Sequence, residues 1–340
     1  MPMPLWWRRS LRRGADRGAM YRHKAGPRVL NRIAPGTEPG VYTRIAVTAV
    51  GATLGGLVTG VDLREPLDDE TFAEIDQAWR EYKVLLFREQ HLTARQHAEL
   101  LMRWGDLTDD QLAPSDKDPI DCLVEFTRDG ATPGLENGWH VDGTFRLQPT
   151  AGTMLRAIEV PARGGDTMFA DMAAAYDNLA PEVQRQVDGL TATHDWSMGA
   201  YANKYADQLE HFRTLLPPVV HPVVLHHPTT GRKTLFVNRF FTTCINGVSS
   251  EESDALLDHL CRQAEVPEYQ LRFHWEPGSI AFWDNIAIQH YGVNDYFPQR
   301  RTMARATFFG SSERWRARAA LERIAGAQTA SAAVASGVGD

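Results

Sequence analysis

Only three cysteines, Cys122, Cys244 and Cys261, occur in 340 residues, and they lack metal-type spacing. That excludes a disulfide framework and fits a reducing compartment, so a cytoplasmic location is expected. No run of about eighteen apolar residues is present, and no membrane span is expected. The basic N-terminus lacks the apolar stretch of a secretory signal, and with Ser10 as its one serine it makes a poor transit peptide. No internal repeat is evident. What is there is the composition of an ordinary globular chain, 43% hydrophobic and 23% charged, enough for a substantial core.

The net charge of -7 is unevenly spread. Met1 to Ile33 carries nine basic residues against Asp16 alone, a net +8 that leaves -15 for the remainder. A basic arm can bind nucleic acid or an anionic membrane, but the acidic body opposes nucleic acid, so neither partner is expected. Residues 1–40 are instead expected to be a disordered extension, with a translation start upstream of Met20 as its origin. The tail is read as helical and then disordered over 313–340, because Gly326 to Asp340 is rich in small residues.

Pro35-Gly36 and Pro39-Gly40 punctuate the approach to a folded body over 41–312. Asp68 or Asp69 can cap a helix with Phe72, Ile75 and Trp79 on one face. Thr93 and Gln96 form a capping box for a second, with Leu100, Leu101 and Trp104 inward. Strand signals fall at 42–47, 54–61 and 84–87, then dominate at 122–126, 138–142, 153–158 and 166–170. They resume at 219–225, 234–237, 270–275, 280–283 and 303–309. Helices are expected at 172–179 and 181–187, and after Ser249, where Leu256, Leu257 and Leu260 face inward. This pattern gives a mainly β fold with helical insertions, a sandwich or barrel, and not a doubly wound parallel sheet.

His140-Val141-Asp142, with His290 far downstream, supplies two imidazoles and a carboxylate. Such a set suits Fe(II), because it fills one face of an octahedron and leaves three positions open. On a strand His140 and Asp142 would share a face. Alone the motif is weak: this many histidines and acids produce about 1.5 His-x-acid matches by chance, and His97-Ala98-Glu99 and His274-Trp275-Glu276 are two more. By period-two alternation Arg301, Met303 and Arg305 share a face while Arg300 points away. His221, His226 and His227, near Pro222 and Pro228, read as strand-end positions and not as a second metal site.

The surrounding residues add a resemblance. Trp139-His140-Val141-Asp142-Gly143-Thr144-Phe145 is similar to the Trp-His-x-Asp-x-Thr-Phe of the taurine dioxygenase family of Fe(II)/2-oxoglutarate-dependent oxygenases. Val160-Pro161 with Gly164-Gly165-Asp166-Thr167 resembles its Pro-x-x-Gly-Gly-Asp-Thr turn. Trp283-Asp284-Asn285, His290, Asp295-Tyr296, Arg300-Arg301 and Arg305 resemble its C-terminal block. The resemblance is colinear from about Arg44 to Gly310.

It implies a double-stranded β-helix (jelly-roll, cupin-like) core with His140, Asp142 and His290 as iron ligands. Thr167 and Arg301 would hold the distal carboxylate of 2-oxoglutarate; arginine grips a carboxylate with two parallel hydrogen bonds. Arg305 would take the anionic group of a small substrate, with Phe145 and Gly143 beside it. The implied reaction is hydroxylation using O2, with release of succinate and CO2, or a desaturation by the same cofactors. Related enzymes imply a homodimer or homotetramer. Asp142 argues against halogenation, since related halogenases carry Gly or Ala there. Two departures from the taurine pattern, Thr108-Asp109-Asp110-Gln111 and Glu136, argue against taurine itself. A zinc hydrolase using the same three ligands leaves Thr167 and Arg301 unexplained, and a non-catalytic jelly-roll binding module is the remaining rival.

Overall fold

The computed structural model describes residues 26–108, 122–197 and 206–310. The expectations for residues 1–25, for Asp109, Asp110 and Gln111, and for the tail beyond 310 lie outside the described residues. The strands are β1 (Ala46–Ala49), β2 (Gly56–Thr59), β3 (Val84–Phe87), β4 (Val124–Arg128), β5 (Gly152–Glu159), β6 (Thr167–Asp171), β7 (Thr191–His194) and β8 (Val219–Pro222). After them come β9 (Val224–His226), β10 (Lys233–Leu235), β11 (Thr242–Asn246), β12 (Gln270–Phe273), β13 (Ile280–Asp284), β14 (Ile288–Gly292) and β15 (Arg301–Phe308). Seven form one sheet in the order β1-β2-β3-β13-β5-β15-β4, and β12-β6-β14 form a three-stranded sheet. The only parallel pairing among named strands is β2 with β3. This is the mainly β fold with helical insertions expected from the strand pattern.

Helix α1 (Asp69–Tyr82) starts where the Asp68 carboxylate accepts from the Thr71 amide, and α2 (Ala94–Met102) starts at the Thr93–Gln96 capping box. Both lie on one face of the large sheet. There Trp79 stacks on Phe282 at 4.7 Å, and Leu101, Trp104 and Phe308 fill the space around them. β13 is buried on both faces, and its alternation separates two cores. Phe282 points toward the helices. Ala281 and Trp283 point toward the small sheet, where they meet Phe169, Leu155 and Met303. Each fully buried side chain of this size stabilises the fold by about 1.5–3 kcal/mol relative to exposure. The further helices α3 (Met172–Asp177), α4 (Pro181–Val187) and α6 (Ser250–Cys261) pack in a third cluster with Tyr269. Between α4 and α6 in the chain lies α5 (Leu209–Leu215).

Three differences from the sequence reading have physical causes. The stretch 138–142 is not a strand: His140 alone bridges to His290, and the chain then turns at Gly143, whose φ is +73°. Strands β7 and β11, which pair with each other, carry weak signals because short polar residues such as Thr191, Thr193 and Asn246 dominate them. Residues 29–40, expected to be disordered, are tied to the body. The Val29 amide donates to Asn178 (2.9 Å), and Arg32 pairs with buried Glu81 (2.8 Å). The buried Lys83 ammonium donates to the Arg32 carbonyl (2.7 Å), and Glu81 also accepts from the Gly40 amide (2.6 Å). Buried charges must be paired and hydrogen-bonded, and here the extension supplies part of that pairing.

Candidate active site

His140 and His290 face one another through two backbone bonds, His140 N to His290 O at 3.1 Å and His290 N to His140 O at 2.8 Å. Their rings stand 4.2 Å apart. Asp142 comes from the turn just after His140, and its two oxygens lie 3.9 Å from His140 Nε2 and 3.8 Å from His290 Nε2. All three residues are buried, with ligand atoms within 4.8 Å of one another. The turn needs Gly143: a side chain there would sit at unfavourable φ and press on Thr150 at 3.0 Å.

The protonation states fit a cation. A carbonyl can only accept, so His140 Nδ1 donates to Gly138 O (2.7 Å) and Nε2 keeps its lone pair for a metal. Burial holds the pKa of His140 below its ordinary value and pushes His290 down to about 3, so both are neutral at pH 7. Burial raises the Asp142 pKa, but His290, Arg305 and His140 around it, with a hydrogen bond from Thr153, leave it below the usual carboxylate range. Two neutral imidazoles and an ionised carboxylate converging in a buried site fit Fe(II).

His140 and His290 open on a cavity of about 50 Å3 also lined by Thr167, Arg301, Arg305 and Glu136. Trp275 Nε1 donates to Thr167 Oγ1 (3.0 Å), which leaves the hydroxyl proton of Thr167 to donate elsewhere. Arg301 is buried, and its Nε has no hydrogen-bond partner among the described residues. No described carboxylate makes an ion pair with it, and burial lowers its pKa. Gly165 lets the chain pass beside it, since a Cβ there would lie 3.1 Å from Arg301 Cδ. Arg305 Nη1 lies 3.7 Å from Asp142 Oδ1. Arg300, exposed and 3.4 Å from Glu159, faces away as the alternation predicts.

The cavity does not collect every candidate. Phe145 lies in an aromatic cluster with Trp196 and Phe241, and neither it nor Gly143 lines the space beside His140 and His290. Conversely, Arg128 was not singled out from sequence. It sits directly opposite Arg301 across the β15–β4 ladder and pairs with Glu136. Like charges opposite each other destabilise a ladder; Glu136 offsets this, and although burial raises its pKa, Arg128 holds it net low. Asn238 donates to Thr144 Oγ1 (3.2 Å) and accepts from the Phe240 and Phe241 amides (3.1 and 3.0 Å). That turn sets Phe240 edge-on to His140 at 4.8 Å.

The model of the taurine catabolism dioxygenase TauD, TfdA family matches residues 43–307. The chain belongs to this family. Its relatives include the (S)-phenoxypropionate/alpha-ketoglutarate-dioxygenase of Sphingobium herbicidovorans, 35% identical over 76% of this chain and 92% of that protein. The alkylsulfatase of Acinetobacter baylyi is 32% identical over 76% of this chain and 82% of its own length. Among solved structures, a taurine dioxygenase from Burkholderia xenovorans superimposes with a TM-score of 0.67 at 34% identity, covering 79% of this chain and 92% of that one. The TauD/TfdA assignment makes the chain a 2-oxoglutarate-dependent dioxygenase whose cofactors are Fe(II) and 2-oxoglutarate, as the sequence resemblance implies.

Proposed function

We propose that His140, Asp142 and His290 hold the iron of this dioxygenase, that Arg301 and Thr167 hold 2-oxoglutarate, and that Arg305 receives a small anionic organic substrate. The observation that carries this reading is the shared cavity. It sets a buried guanidinium without a described carboxylate partner, Arg301, within the same walls as two metal-competent imidazoles. A zinc hydrolase has no use for that arginine.

When bound, Fe(II) and 2-oxoglutarate activate O2 to oxidise a substrate C–H bond, and 2-oxoglutarate leaves as succinate and CO2. The residues contribute position and electrostatics. Arg301 offers a fork of donors matched to a carboxylate, and the free Thr167 proton adds one more. Arg305 reaches from the Asp142 side of the site into the cavity, so an anion bound on it lies beside the metal ligands. Phe240 against His140 and Trp283 against His290 keep water from the imidazole faces. Gly143 and Phe145 contribute by shaping the turn behind Asp142 and its packing.

The substrate reading covers sulfonates, sulfate esters and aryloxyalkanoates or other carboxylates, and it is supported by the names of the relatives and by Arg305. The two facing sheets, with His140 bridged to His290 on β14 of the smaller one, support a double-stranded β-helix core. A homodimer or homotetramer and a cytoplasmic location belong to the same proposal. Among the described residues no disulfide joins Cys122, Cys244 or Cys261, and no described helix is long and apolar enough to cross a membrane. A screen for O2-dependent succinate formation over alkyl sulfates, sulfonates and aryloxyalkanoates tests the assignment. At least one class should give succinate in proportion to substrate consumed. Succinate formation by none of them, with iron supplied, would refute the substrate reading.

A further inference from the structure

Behind Asp142 lies a buried hydrogen-bond network whose direction can be read proton by proton. The Trp283 indole N–H, a donor only, meets Asn285 Oδ1 at 2.9 Å, and this fixes which way the Asn285 amide points. Its amino group then divides its two protons between two hydroxyls, Thr150 Oγ1 and Thr153 Oγ1, each at 2.9 Å. Each hydroxyl has one proton of its own to give. Thr150 gives it to the Asp142 carbonyl (2.9 Å), and Thr153 gives it to Asp142 Oδ2 (3.1 Å). Thr307, 3.1 Å from Thr153, is then left to donate to Thr153, because the Thr153 proton is already committed.

The residues are drawn from three places: Asn285 from the turn after β13, Thr153 from β5 and Thr307 from β15. Thr150, Thr153 and Asn285 are buried, so none of these groups can turn to water instead. One amide therefore orders two hydroxyls, and the two hydroxyls fix Asp142 at both its backbone and its carboxylate. The turn at Gly143 carries no strand ladder at Asp142, so these bonds replace the constraint that a strand would have supplied.

We infer that Asn285 and Thr153 are positioning residues that set the orientation of the Asp142 carboxylate toward the metal, with Trp283 fixing the orientation of Asn285. The inference rests on the reading that the triad holds iron. Groups that orient a metal ligand typically contribute about 10–100-fold in metal affinity. The hydroxyl is the active feature at position 153 and the donor amino group at position 285.

The test is an anaerobic titration of the full chain with Mn(II), followed by the loss of the free-ion EPR signal, with 2-oxoglutarate present. Thr153→Val keeps the side-chain shape and removes the donor; it should weaken Mn(II) binding about 10-fold or more. Thr153→Ser restores the hydroxyl and should bind within about twofold of the wild type, a rescue that a packing role does not explain. Asn285→Ala, a second route to the same carboxylate, should weaken binding by a similar factor. Wild-type affinity in folded Thr153→Val, or in folded Asn285→Ala if Thr153→Val does not fold, would overturn the inference. Equal loss in Thr153→Ser and Thr153→Val would also overturn it. If the wild-type chain binds neither Mn(II) nor Fe(II), the iron reading itself fails and takes the inference with it.

Discussion

Two cavities meet the end of β13, one lined by Asp284 and the other by Trp283, and they use similar residues to opposite ends. The larger, about 290 Å3, is lined by Arg32, Glu81, Lys83, His227, Arg232 and Asp284 among others. Each of these polar groups has an internal partner. Lys83 meets Asp171 at 3.0 Å, His227 meets Asp284 at 2.8 Å, Arg232 meets Asp177 at 2.7 Å and Arg32 meets Glu81 at 2.8 Å. In the smaller cavity His140 and His290 keep their Nε2 atoms nearly 4 Å from Asp142, beyond hydrogen-bonding distance, and Arg301 has no ion pair among the described residues. A satisfied cluster stabilises the fold; a cluster with spare donors and lone pairs binds something. Size alone would have pointed to the wrong cavity.

The comparison breaks most sharply at Lys83. Lys83→Met leaves Asp171 charged and buried without its cation, at a cost of about 3–5 kcal/mol. Chemical denaturation should show that loss while the KM for 2-oxoglutarate stays at the wild-type value. Arg301→Ala should do the reverse. A charged hydrogen-bonded contact is worth about 1.5–3 kcal/mol, so the KM for 2-oxoglutarate should rise roughly 10- to 150-fold. Stability should not fall, because a buried charge has been removed. Arg305→Ala should instead raise the KM of the organic substrate more than that of 2-oxoglutarate; the opposite split would mean that the two arginine roles are exchanged.

Truncation probes the wall between the cavity and the extension. Removing residues 1–25 should leave stability unchanged. Removing 1–40 takes away the Arg32 carbonyl that accepts from Lys83 and the carbonyls of Asn31 and Arg32 that accept from Arg232. The expected loss is about 1–3 kcal/mol by denaturant titration, and equal stability of both truncations would show that the extension is not structural. The smallest effect is one of pH. Burial, with Arg156 nearby, pushes His97 down to about 3 from an ordinary 6.5. Below pH 6.5 the unfolded chain takes up a proton that the folded chain refuses. Stability is therefore full above 6.5 and falls as pH drops toward 3, by about 1 kcal/mol at pH 5.5 for this one group. His97→Leu should flatten that slope between pH 7 and 5.5.

The sequence was most legible where chemistry is written in residue type and short spacing. His140, Asp142, His290, Thr167, Arg301 and Arg305 stand out as types, and period-two alternation correctly turns Arg300 away. The capping residues Asp68, Thr93 and Ser249 mark their helices because a cap is a local hydrogen bond. Other features depend on contacts distant in the chain. Asn285 meets Thr150 across 135 positions, and Arg128 meets Arg301 only through strand pairing, so local pattern does not show either contact. The strand expected at 138–142 failed for a different reason: one left-handed residue, Gly143, outweighs the strand propensity around it. Residues 29–40 read as disordered because the N-terminal composition is basic and polar. Their order comes from acceptors they offer to buried Lys83 and Arg232, which their own sequence does not display.

The central claim is that the unsatisfied cavity, and not the paired one, holds Fe(II) together with 2-oxoglutarate. Anaerobic addition of Fe(II) and then 2-oxoglutarate to the full chain tests it most directly, read as visible absorption. The account predicts a weak metal-to-ligand charge-transfer band in the wild type that survives Lys83→Met under conditions where that variant is folded and is lost in His290→Ala. A band that persists unchanged in folded His290→Ala, or no band in the wild type, would contradict it.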